Sequence, residues 1–205
     1  MVGLLCLNQA LSGGESAIVS GLSVYNAVVA EHPQDLPLLE RGFVYDRRGE
    51  EAYYQRPVSD PVPVFAHVNG QISIRYVRKS IETGMAKLGR AFSAEESVLL
   101  DYLDEVTQRP ELVVTMRLSP GDMQFVNNYS VLHSRTSYED HPEPSRRRHL
   151  LRLWLKIDGL RQLDPRFVEY DKLTGWSRPE SEGKVRHLFC IAGGFFKSWR
   201  AGSVH

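Results

Sequence analysis

The chain has 205 residues, 42% hydrophobic and 24% charged, which suits a globular domain with its own core and excludes a disordered or fibrous chain. Its 25 basic and 25 acidic residues cancel, so no global field draws it to nucleic acid or to an anionic membrane, and anion recognition has to be local. Cys6 and Cys190 lie far apart without metal-ligand spacing, apolar runs reach only five or six residues, and MVGLLCLNQ lacks a basic leader, so a cytoplasmic chain without disulfides, zinc or a membrane span is expected.

Val2 to Leu7 reads as a buried strand that begins without any polar lead-in, as though inside a larger fold. "LSGGESAIVSG" follows, with a Gly13-Gly14 turn and a strand from Ser16 to Ser20. Ser23 is placed to cap a helix over about 24–32, Pro33 ends it, and a short helix continues to about Glu40. "FVYDRRG", "YYQRPVS", "PVFAHV" and "QISIRYV" have strand character, and Asn69-Gly70 marks a hairpin between the last two. "SAEESVLLDYLDEV" predicts a helix with a Ser93/Glu96 capping box and Leu99, Leu103 and Val106 on one face, within a helical insertion of about 78–110. "ELVVTMRLS", "MQFVNN", "SVLHSR" and "HLLRLWLKI" return to strands, with Pro120-Gly121-Asp122 as a turn. Beyond Asp158 the pattern weakens: "DPRFVEYDKLTGWSRPESEGK" reads as loop and "VRHLFCIAGGFF" as one last strand. Many short strands with helices confined to insertions predict a mainly β fold, a double-sheet jelly roll. The domain spans 1–157, followed by a C-terminal extension over 158–205.

Alternation in "NNYSVLHSRT" places Val131 and His133 on one strand face and Leu132 and Ser134 on the other. His133 either ligates a metal or satisfies a backbone carbonyl. Arg148 and Arg152, four apart in an apolar strand, project to the same face. They need anionic partners, either internal carboxylates or a bound carboxylate that matches the guanidinium fork. Arg146 and Arg147 belong to a solvated loop.

"PGDMQFVNNYSVLHSRTSYED" followed by "RRRHLLRLWL", with "GLLCL" and "SGGES" upstream, resembles the TauD/TfdA family of Fe(II)- and 2-oxoglutarate-dependent dioxygenases, over most of residues 3–157. The order is strand, GG-x-[ST], insertion, PGD, N-x-x-x-x-H and R-x-x-x-R. The resemblance implies a double-stranded β-helix and an oxidoreductase that hydroxylates a small molecule. It also implies a 2-His-1-carboxylate iron site. By this match His133 is the distal iron ligand, and Arg148, assisted by the Ser16 hydroxyl, binds the remote carboxylate of 2-oxoglutarate. Arg152 is the second arginine, facing the cosubstrate's other end or an anionic substrate group. The family's other two ligands come from an H-x-D or H-x-E motif just before the strand matching Val2 to Leu7. The only H-x-E here, His141-Pro142-Glu143, lies in the arginine-rich loop and reads as chance. The expectation is therefore a fold incomplete at its N-terminus, the C-terminal portion of a longer enzyme, whose open strand edges would favour self-association. The alternative is a non-catalytic jelly-roll module that binds a small carboxylate or a protein partner. Substrate choice is expected to lie in residues 41–110, where "RYVR" either faces a pocket or belongs to the core.

Overall fold

The computed structural model describes residues 1–47, 56–155, 157, 159 and 161–173. Strands β1 (Val2–Asn8), β7 (Met123–Val126) and β10 (His149–Trp154) form one antiparallel sheet in the order β10-β1-β7. A second sheet, β6-β3-β8, contains β3 (Ser16–Ser20), β6 (Val113–Met116) and β8 (Val131–Arg135). A short ladder of β2 (Ser12–Gly13) and β9 (Tyr138–Glu139) leads from the first sheet toward the second. Register makes Leu4 the neighbour of both Gln124 and Arg152, so these three share a face. In the other sheet Ser16 neighbours Met116 and Arg135, and Ile18 neighbours Val114 and His133. The Ser16 hydroxyl reaches Gln124 across the gap at 2.7 Å, which shows that these two faces look at each other. That is the interior of a jelly roll.

The opposite face of the second sheet carries the main core. Val19 and Leu132 turn there and meet α1 (Gly21–Glu31), α2 (Leu36–Arg41) and the β4 (Phe65–Val68)–β5 (Gln71–Ile74) hairpin. Behind these lie α3 (Arg78–Lys87) and α4 (Ala94–Val106), whose Ile81, Met85, Leu99, Leu100, Leu103 and Val106 are buried. The insertion is thus more than decoration, since these side chains belong to the main core. By contrast, Leu7, Met123, Phe125 and Leu153 are exposed on the outer face of the first sheet.

Local chemistry explains the element ends. The Asn69-Gly70 turn joins Val68 to Gln71, and both turn residues have positive φ, the geometry a two-residue hairpin needs. The capping box forms as expected: the Ser93 hydroxyl accepts from the Glu96 amide at 3.0 Å, and the Glu96 carboxylate accepts from the Ser93 amide at 2.9 Å. At α1 the cap is Ser20, not Ser23. The Ser23 amide donates to the Ser20 hydroxyl, and Gly21 starts the helix.

Two other readings change. "FVYDRRG" forms isolated bridges, Phe43 to Val62 and Asp46 to Val58, in place of a continuous strand. "YYQRPVS" and "VRHLFCIAGGFF" fall wholly or partly outside the described residues. Where loop was expected after Asp158, α5 (Pro165–Leu173) forms, and Phe167 and Tyr170 enter the main core. The Asp164 carboxylate accepts from the Arg166 amide at 2.8 Å and so caps this helix, with Pro165 as its first residue.

Candidate active site

β8 carries His133 toward the space between the sheets while its neighbour Leu132 packs against the core, so alternation orients the imidazole. The side chain is exposed and makes no hydrogen bond to another described residue, which removes the reading of a histidine tied to a backbone carbonyl. Its pKa is held below the ordinary 6.5, first by loss of hydration and then by the positive charge of Arg152. By register, Arg152 on β10 shares the Leu4 and Gln124 face and His133 on β8 shares the Ser16 and Ile18 side of its sheet, so both residues stand on the interior faces. A neutral imidazole is also the form that ligates a metal.

Arg152 is half-buried, and its Nε is enclosed without a hydrogen-bond partner. Such a donor is costly to leave unmade, and a carboxylate would complete it. Arg148, just before β10, is anchored through its backbone, whose N–H donates to the Asp140 carboxylate at 2.7 Å. Its guanidinium borders a small cavity lined by Cys6, Gly13, Gly14, Arg117 and Leu150. Neither Arg148 nor Arg152 forms an ion pair with a described carboxylate, so the alternative of internal pairing is not realised among the described residues. Burial, and then the nearby positive charge of Arg135, push the Arg148 pKa down. Both Arg135 and Arg148 lie against the Tyr138 ring, at 4.2 and 5.4 Å from its centroid. Cations gathered around a half-buried cavity favour an anion there.

The glycine turn shapes this cavity. Gly13 and Gly14 have φ of +67° and +76°, and a Cβ on Gly14 would sit 3.1 Å from Arg148 Nε. A side chain at position 14 would therefore occupy the space beside the guanidinium. Two residues further on, Ser16 is buried and its single hydroxyl proton is donated to Gln124 Oε1, so the hydroxyl is already engaged.

Gln124 was not singled out from the sequence. The available signal was a polar residue in "MQFV" at the alternation phase of buried Val126. "RYVR", left open between pocket and core, serves packing. The Arg75 guanidinium stacks 4.0 Å from the Tyr170 ring centroid, and the Tyr76 hydroxyl donates to Asp104 at 2.6 Å. Arg78 bridges Glu82, Asp101 and Asp104, which joins α3 to α4. As expected, Arg146 and Arg147 are exposed. Glu143 accepts a hydrogen bond from the Ser145 hydroxyl at 2.6 Å within the same loop.

The residues present offer donors suited to a carboxylate, namely an enclosed Nε without a partner on Arg152 and the Arg148 guanidinium beside the glycine turn. An iron ion does not fit them by themselves. Among the described residues no group of three His, Cys, Asp or Glu side chains stands ready to hold a metal, and His133 offers one imidazole. Nor is any described helix long and apolar enough to cross a membrane.

Among solved structures, an asparagine oxygenase in complex with Fe(II), 2S,3S-3-hydroxyasparagine and succinate aligns over 74% of this chain and 43% of that one, with TM-score 0.55 and 18% identity. This supports the jelly-roll fold. FR-33289 synthase of Streptomyces rubellomurinus is 41% identical over 162 residues, 78% of this chain and 48% of that protein. A taurine hydroxylase-like protein of Stachybotrys chartarum is 27% identical over 165 residues, 78% of this chain and 41% of that protein. The chain thus spans less than half the length of either curated relative. The family model "Taurine catabolism dioxygenase TauD, TfdA family" matches residues 1–154, from the first residue of β1's approach to the last of β10, and the chain belongs to that family.

Proposed function

We propose that this chain forms the cosubstrate-binding part of an Fe(II)- and 2-oxoglutarate-dependent dioxygenase that hydroxylates a small molecule. The observation that carries the reading is Arg152: its enclosed Nε lacks a partner, and it stands on the sheet face opposite the one that carries Ser16 and His133. A diacid between β8 and β10 would give that donor an acceptor and neutralise the cations around it. In this reading Arg148 holds the remote carboxylate with help from Ser16, and Arg152 faces the opposite end or an anionic group of the substrate. His133 is one iron ligand, and the other two come from outside the described residues. Iron, when bound, would supply the activation of oxygen. The chain's own residues fix the diacid beside it and keep the cation cluster neutral. The FR-33289 synthase likeness supports a small-molecule substrate without specifying which.

The test uses a form of the protein extended at its N-terminus by an H-x-[DE] motif. Succinate should form in air only with Fe(II) and 2-oxoglutarate both present. Arg148→Lys, which replaces a planar two-point contact with a point charge, should weaken 2-oxoglutarate binding by about 1 to 3 kcal/mol, while Arg146→Lys leaves it unchanged. Equal dissociation constants for the two variants, or succinate formation without iron, would contradict the proposal.

A further inference from the structure

Ser16 and Gln124 pose a problem of proton count. A serine hydroxyl has one proton to give, and a carboxylate can only accept. Here that proton goes to Gln124 Oε1 at 2.7 Å, in a buried contact between the two sheets. While the contact stands, Ser16 presents only lone pairs to its surroundings, and lone pairs repel a carboxylate. Resting on the reading that Ser16 assists a diacid, two outcomes remain. Either Ser16 breaks with Gln124 and the hydrogen bond between the sheets is lost, or the amide turns over and keeps it.

We infer that Gln124 is a positioning residue that rotates its terminal amide when the diacid binds, so that Nε2 donates to Ser16 Oγ and the Ser16 proton is released to the carboxylate. The turned amide keeps the same atoms in contact, since oxygen and nitrogen occupy nearly equivalent places. What it gives up is the bond that Oε1 accepts: the turned oxygen takes the place of Nε2, which now faces the Met116 thioether at 3.5 Å, and sulfur there has no proton to donate. What it gains is a hydrogen bond from a neutral hydroxyl to a charged acceptor, the stronger kind. Position supports the exchange. Gln124 is buried on β7, in line with Leu4 and Arg152 across the first sheet, and Ser16 neighbours Arg135 across the second. The residue thus joins both faces of the interior, between the sheet that carries Arg152 and the sheet that carries Arg135. Leucine at position 124 would fill space there but could neither accept from nor donate to that hydroxyl.

The experiment measures the dissociation constant of 2-oxoglutarate by calorimetric titration for the 205-residue chain, Gln124→Glu, Ser16→Ala and the double variant. An ionised carboxylate at position 124 can only accept, so it keeps the Ser16 proton. Gln124→Glu should raise the constant about tenfold or more, the scale of one hydrogen bond to a charged group. Direct repulsion between that carboxylate and the diacid acts in both backgrounds and drops out of the comparison. The effect of Gln124→Glu should therefore be at least about fivefold smaller in the Ser16→Ala background. Equal effects in the two backgrounds would overturn the inference while leaving the Ser16 reading in place. If Ser16→Ala alone leaves the constant unchanged, the reading beneath it fails and the inference falls with it. Should Gln124→Glu not fold, Gln124→Met serves the same cycle: it neither holds the Ser16 proton nor orients the hydroxyl, and any change it makes in the constant should vanish in the Ser16→Ala background. An equal loss in both backgrounds again overturns the inference.

Discussion

His133 and Arg152 influence each other without touching through a hydrogen bond, and that relation is measurable. The imidazole pKa lies below 6.5 because the ring, although open to solvent, loses part of its hydration among its neighbours, which disfavours the charged form, and Arg152 repels its proton. The consequence for stability follows from its sign. The unfolded chain takes up the proton first as pH falls, so the His133 contribution is complete above about pH 6.5 and is lost as pH drops toward the folded-state value. Following the ring Cε1–H signal by NMR should give a midpoint below 6.5, and Arg152→Met should move it upward. A midpoint unaffected by Arg152→Met would mean that the two groups do not share the interior. Much at this scale was legible. His133, Arg148 and Arg152 stand out because charged or ligating groups interrupt apolar alternation. Gln124 carries the same signature in "MQFV", but a single neutral polar residue is a weaker one.

At the scale of elements, the chain's punctuation was the most readable part. The Ser93/Glu96 box, the Asn69-Gly70 hairpin and the Gly13-Gly14 turn each depend on neighbours a few residues away, so local sequence determines them. The N-cap of α1 shifted from Ser23 to Ser20 because both are serines with an apolar run behind them, and only the path of β3 into the helix decides between them. The helix at Pro165–Leu173 was hidden because its apolar residues are few. Its Asp164-Pro165 start is nevertheless a genuine signal, and the buried Phe167 is what the pattern could not foresee. Turn and cap differ in what they support. Ser93→Ala should lower stability by about 1 kcal/mol and leave 2-oxoglutarate affinity unaltered. Gly14→Ala should lower both, since it forces an L side chain into positive φ and crowds Arg148, at a backbone cost of about 1 to 2 kcal/mol. Denaturant melts paired with ligand titrations separate the two cases. An unchanged affinity in Gly14→Ala would remove the turn from the site.

For the whole molecule, long-range placement is what the sequence could not supply. That the Ser16 face of one sheet looks at the Gln124 and Arg152 face of the other depends on register between strands more than 100 residues apart. The dominant core lies between the second sheet and the helical insertion, so the molecule can pack firmly on one side while the space between the sheets keeps His133 exposed. Family membership and geometry together make the diacid site the central claim. It is tested most directly by NMR titration of the 205-residue chain with 2-oxoglutarate, following the side-chain Nε–H signals of Arg148 and Arg152 and the ring Cε1–H of His133. The account predicts that all three shift along one binding curve with a common dissociation constant, while Arg78 and Arg109, engaged in ion pairs on the helical side, stay still. Shifts confined to the helical arginines, or a His133 signal indifferent to saturating ligand, would contradict it.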